Sequence, residues 1–91
     1  MQTDTKTECA ARLGRIEGQV RGIGRMIDED RYCIDVLTQL RAVRAALRRV
    51  EDLVLSDHVA HCIEGAITSG DGMEQRRKVQ ELLEVLTRRD G

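Results

Sequence analysis

The sequence predicts an all-α fold, and three observations carry that prediction. The 91-residue chain has no Pro, Phe or Trp, and its hydrophobic residues, 41% of the total, are almost all aliphatic. A sheet draws on aromatic and β-branched residues, whereas the Leu, Ala, Arg, Glu and Gln that dominate here favour helix. Apolar residues also recur at steps of three and four over most of the length. Finally, only two polar breaks, at Asp28–Arg31 and Thr68–Gly72, interrupt the periodicity. The length predicts one domain, residues 1–91. A domain so small buries a limited core and calls for oligomerisation, a metal or disulfides.

The first helix is expected over about residues 4–28. Its apolar stripe is Leu13, Ile16, Val20, Ile23 and Ile27. Gly14, Gly18 and Gly22 recur every fourth residue on a neighbouring face, a spacing that predicts close backbone approach by a partner. After the acidic break, a second helix is expected over about 32–65. Val36, Leu40, Val43, Leu47, Val50 and Val54 form a long seam, and neither Pro nor Gly interrupts the run from Arg31 to Glu64. A stripe of this length belongs to a helical bundle or coiled coil. Thr68–Gly72 reads as a loop, with Asp71 and Glu74 resembling a capping box. The third helix, about 73–88, carries Val79, Leu82, Leu83 and Leu86. No internal repeat or helix-turn-helix pattern is visible.

The net charge of −1 hides an asymmetry. From Arg12 to Arg49 nine Arg stand against five acids, a balance of +4; from Val50 onward five basic residues stand against nine acids, a balance of −4. Thirteen of the fifteen basic residues are Arg, whose planar forks suit phosphate and guanine. The competing reading of each such Arg is a solvated helix face. No apolar run is long enough to span a bilayer and no signal-peptide pattern opens the chain, so a soluble, cytoplasmic protein with no membrane partner is expected. In a reducing cytosol the three Cys read as buried residues, metal ligands or redox thiols.

His58 and Cys62 are four apart and share one helix face, a common way to offer two donors to one ion. Cys33 lies 25 residues before His58. If one helix joins them, the separation is about 38 Å at a rise of about 1.5 Å per residue. One chain then cannot bring all three to one ion. An antiparallel partner can, placing Cys33 of one protomer beside the partner's His58 and Cys62, with two-fold symmetry repeating the site. Two thiolates and an imidazole form a soft set that selects Cu(I), Zn(II) and other thiophilic ions. Structural zinc usually takes four protein ligands, so three favour Cu(I), or zinc with an outside ligand. His61 reads as a surface residue or a neighbour of the site, and Cys9 as a helix-face thiol; neither has an assigned role.

The runs Arg12–Ile23, Arg25–Met26, Tyr32–Leu40 and Asp57–Cys62 resemble the copper-sensing repressor (CsoR/RcnR) family, and the likeness covers about residues 7–88. The resemblance implies a three-helix protomer in an antiparallel helical-bundle homodimer, usually a dimer of dimers, that is, a homotetramer. It implies a repressor that binds operator DNA when apo and releases it on binding Cu(I). It assigns Cys33, His58 and Cys62 as metal ligands. Tyr32 matches an outer-sphere Tyr of the family and Glu81 its outer-sphere Glu, which would orient the imidazole. Arg12 and Arg49 match DNA-binding positions, with Arg15 as a helper, and all three belong to the +4 segment.

Rival readings share the fold or depart from it. Other branches sense nickel or cobalt, formaldehyde or persulfides, and zinc stays open for the same donor set. Nickel and cobalt sensors tend to add an N-terminal His, and this chain has no His before His58. Persulfide sensors keep two Cys and lack the ligand His; Cys33 and Cys62 could still be joined across a dimer as a thiol sensor. A copper carrier without DNA would have no use for the Arg segment. An enzyme with catalytic residues or a small-molecule substrate is not expected, because two His and one Tyr do not assemble a nucleophile with its base.

Overall fold

The computed structural model describes residues 1–88; the last three residues of the expected 1–91 domain lie outside them. It consists of three helices: α1 (Thr3–Asp28), α2 (Cys33–Ser69) and α3 (Gly72–Arg88). No strand occurs among the described residues, and the all-α expectation holds. None of the helices is long and apolar enough to cross a membrane. By internal packing the chain divides into two units, Gln2–Val54 and the residues from Leu55 onward together with Met1.

In the first unit α1 ends where the acidic break predicted, by a backbone device. Asp30 takes the left-handed conformation (φ 54°). The Asp30 N–H then donates to the Ile27 carbonyl (3.1 Å) and the Arg31 N–H to the Met26 carbonyl (2.9 Å). These two bonds are a Schellman closure, which satisfies carbonyls that the last turn leaves open. The chain re-enters helix at once: the Tyr32 carbonyl accepts from the Asp35 and Val36 N–H groups (3.0 and 3.2 Å). Tyr32 therefore precedes α2 instead of opening it. So short a connection makes α1 and α2 antiparallel neighbours.

Their shared core holds Cys9, Ile16 and Ile23 of α1 with Val43 and Val50 of α2, and Val36, Ala46 and Leu53 pack against it. Cys9, Ile16 and Ile23 are seven apart, as are Val36, Val43 and Val50. A seven-residue period keeps a helix seam facing its partner. The stripes expected from sequence therefore split. Leu13, Val20 and Ile27 of α1 and Leu40, Leu47 and Val54 of α2 are exposed. Each lies three residues before or four after a core position, with the same offset in both helices. Reversing one helix reverses its sense of rotation, so equal offsets fall on the same edge of an antiparallel pair. The hairpin thus presents one continuous apolar edge.

The glycines do not serve packing within the chain. A Cβ at Gly14 or Gly18 would meet nothing within 4 Å, and at Gly22 only the Arg25 Nη2 at 3.8 Å. The close approach expected there has no counterpart among the described residues of the protomer.

In the second unit α2 continues to Ser69, four residues beyond the expected end. The hydroxyls that suggested a loop instead bond back into the helix: Thr68 Oγ1 donates to the Glu64 carbonyl (2.7 Å) and Ser69 Oγ to the Ala66 carbonyl (2.8 Å). Gly70, at φ 69°, makes the turn. Asp71 Oδ1 caps α3, accepting from the Met73 N–H (2.9 Å) and the Glu74 N–H (3.4 Å). The capping box is half complete. The Asp71 N–H donates to Ser69 Oγ (3.2 Å), and the Glu74 carboxylate pairs with Arg77 instead of reaching back. Gln75 Nε2 donates to the Ala66 carbonyl (3.2 Å), tying α3 to α2. Ala66 is the one buried hydrophobic residue described in this unit, and α3 buries none.

Candidate metal and DNA-binding sites

His58 and Cys62 lie one turn apart on α2, and Cys62 Sγ is 3.4 Å from each ring nitrogen of His58. Equal distances place the sulfur against the face of the ring, midway between the two nitrogens and on neither nitrogen's lone-pair direction. With zinc-type bonds of about 2.3 Å to sulfur and about 2.05 Å to nitrogen, two ligands stand about 3.5 Å apart at a tetrahedral angle and about 3.8 Å apart at the wider angle of a three-coordinate ion. The pair therefore stands close to the separation that two donors on one ion require, and the imidazole must turn on its own side-chain bonds to aim a nitrogen at the ion.

Cys33 begins α2, which is unbroken from Cys33 to Ser69. The condition behind the 38 Å estimate, one helix carrying both ends, is met. Among the described residues no three His, Cys, Asp or Glu side chains gather around one point. Cys33 is an exposed free thiol and Cys62 a half-buried one. Tyr32, beside Cys33, is 69% exposed. Glu81, in α3, has Lys78 as its described partner, with 3.9 Å between Nζ and Oε2.

The two residues without an assigned role now have surroundings. Cys9 is a buried member of the hairpin core, where a thiol acts as a small hydrophobe. His61 lies 3.9 Å, through Nε2, from Oδ1 of Asp57, whose side chain is only 8% exposed. The other oxygen of Asp57 is 4.0 Å from the Met1 amine.

The three Arg singled out from sequence share one edge of the hairpin. Arg15 precedes Ile16 by one residue, Arg49 precedes Val50 by one, and Arg12 precedes Ile16 by four. By the same offset argument, all three fall on the edge opposite the apolar one. Arg12 and Arg49 stand equally far from the connection between α1 and α2, and so at the same height. Arg48, two before Val50, lies on the outer face. Arg12 is the sole half-buried Arg of the basic segment; the other eight are exposed. Its guanidinium meets Oε1 of Glu8 through Nη2 (3.2 Å) and Nε (3.4 Å). Sequence reading passed over Glu8, although its spacing of four from Arg12 is a standard helical ion-pair signal.

Residues 5–88 match the model of a family described as metal-sensitive transcriptional repressors. The chain belongs to this repressor family. Among relatives of the family, the copper-sensing transcriptional repressor CsoR of Bacillus subtilis (strain 168) is 50% identical over 80 residues, covering 88% of this chain and 76% of that one. The crystal structure of the copper-sensing repressor CsoR with Cu(I) from Geobacillus thermodenitrificans NG80-2 superposes with a TM-score of 0.85. It is 39% identical and the match covers 96% of this chain and 88% of that one. The nickel-responsive transcriptional regulator InrS superposes with a TM-score of 0.78 at 43% identity, covering 90% and 89%. The chain is therefore similar on this fold to regulators named for two different metals.

Proposed function

We propose that this member of the family is a copper(I)-responsive repressor, with Cu(I) held between protomers by Cys33 of one and the partner's His58 and Cys62. The observation that carries the reading is the His58–Cys62 pair, already at ligand spacing on one face of α2. Cys33, on the same unbroken helix 25 residues away, must then come from a second copy. The uncovered apolar edge of the hairpin supplies a reason for that copy to bind, and an antiparallel dimer, in turn paired into a tetramer, meets both needs. The whole chain acts as a single sensing and DNA-binding domain in the cytoplasm.

Tyr32 and Glu81 take the outer-sphere role, hydrogen-bonding the ligands and linking α3 to the metal. Arg12, Arg15 and Arg49 contact the operator; their common edge faces away from the proposed dimer seam, and phosphate contacts account for the positive segment. No catalytic residue or small-molecule substrate enters this scheme. Metal and DNA favour different conformations of the assembly, so each weakens the other by the same free energy, on the order of 1–3 kcal/mol. Because thiolates are the ligands, Cu(I) affinity rises with pH.

A nickel reading has one observation in its favour, the likeness to InrS. The two thiolates and single imidazole oppose it, since that soft set suits Cu(I). The exposed Cys33 thiol likewise keeps a persulfide response in view. One titration separates them: fluorescence anisotropy of DNA binding with apo protein, Cu(I), Ni(II), Zn(II) and a persulfide donor. Release by about one equivalent of Cu(I) per protomer is expected. Release by Ni(II), Zn(II) or the donor, with none by Cu(I), would reassign the sensor.

A further inference from the structure

We infer that Glu8 sets the strength of DNA binding by competing with phosphate for the guanidinium of Arg12. The inference rests on the reading of Arg12 as a phosphate contact.

The geometry is specific. Glu8 Oε1 faces both Nη2 and Nε of Arg12, at 3.2 and 3.4 Å. Those two N–H groups form one of the edges with which Arg grips a carboxylate or phosphate by two parallel bonds. A phosphate on that edge must displace Glu8. The Arg12 side chain is only 27% exposed while that of Glu8 is 48% exposed. Arg12 is therefore the better-held partner, and Glu8, at the surface, is the one that can leave.

Contrast sharpens the assignment. Arg21 and Glu17 repeat the i, i+4 pairing on the same helix at 3.6 Å, with both side chains more than two-thirds exposed. Arg15 and Arg49, on the same edge as Arg12, have no ion pair among those described. Of the three proposed DNA contacts, Arg12 alone begins with its fork occupied by an acid. An exposed pair of this kind is weak, so displacement is feasible and the brake is small, about threefold in affinity. As a charge effect near the surface it fades with added salt.

The test uses the full-length apo protein and a DNA duplex recovered from a randomised pool by selection with the wild type. Affinities are measured for wild type, Glu8→Gln, Glu17→Gln, Arg12→Ala and the Glu8→Gln/Arg12→Ala double variant, at low and high salt. Circular dichroism melts check that each variant folds. Glu8→Gln should bind about threefold more tightly, more so than Glu17→Gln, and the gain should vanish in the Arg12→Ala background. If Arg12→Ala weakens binding but Glu8→Gln binds no more tightly than wild type or Glu17→Gln, the brake is refuted while the Arg12 contact stands. A gain that persists without Arg12 refutes the brake as well, since Glu8 then acts through general charge. If Arg12→Ala binds as wild type, both the contact and the brake fall.

Discussion

The α1–α2 hairpin and the segment that follows it use the same aliphatic alphabet to different ends. The hairpin buries five residues in one core, at seven-residue spacing where they share a helix. The following segment buries Ala66 and, within α3, nothing. Yet that segment holds the His58–Cys62 pair, while the hairpin carries Arg12, Arg15 and Arg49. On the proposed reading, the better-packed region would offer a fixed surface to DNA, and the loosely packed region the donors whose occupancy is sensed. A switch needs such an inequality: elements that move are drawn from the low-stability end of a structure. The two regions are alike in leaving apolar residues uncovered: Val79, Leu83, Val85 and Leu86 on α3, and the edge from Leu13 to Val54 on the hairpin.

The comparison is broken most forcefully at the core. Ile16→Ala should cost about 3 kcal/mol, as buried Ile-to-Ala changes do, read as a lowered denaturation midpoint and weakened DNA binding together. Leu83→Ala should cost well under half of that in the isolated protomer. Equal losses would erase the distinction between the two regions. Removing a donor acts on the other side of the contrast. Cys62→Ala should lower Cu(I) affinity by more than about 100-fold, beyond the loss typical of an outer-sphere change, and leave apo DNA binding within about twofold. A loss of apo DNA binding would show that the two regions are not separable.

Smaller changes sharpen the picture at the turns. Asp71→Ala removes the cap of α3 and should cost about 1 kcal/mol, seen as lost helicity, with the hairpin unaffected. Asp30→Gly relieves a left-handed non-glycine residue. It should gain about 0.5 kcal/mol, the relief being partly offset by the greater freedom of unfolded glycine.

Much of the fold was legible because helices write their period directly into the sequence. The core residues Ile16, Ile23, Val43 and Val50 all lay on the expected stripes. The stripes did not say which half was for the protomer itself. Leu40 and Val43 look alike in sequence, and the offset from the hairpin seam separates them. The end of α2 was misjudged because Thr68 and Ser69 have two uses, as loop formers or as hydroxyls bonded to the preceding turn, and spacing does not distinguish them. At the candidate site, the spacing of His58 and Cys62 was readable and their separation of 3.4 Å fits it. Glu81 could not be placed, since its distance from His58 along the chain spans the α2–α3 turn. Glu8 was visible at four residues from Arg12, but its two-point grip depends on rotamers that sequence does not specify.

The most direct test of the intersubunit site mixes two inactive partners. Cys33→Ala and Cys62→Ala proteins are each titrated with Cu(I) against a chelator, then unfolded together, refolded as an equal mixture, and titrated again. Each variant alone should lack high-affinity binding. The mixture should regain it, because a mixed dimer pairs the intact Cys33 of one protomer with the partner's intact His58 and Cys62 and so rebuilds one of its two sites. Wild-type binding with no recovery in verified mixed dimers would contradict the shared site and require each protomer to hold its metal alone.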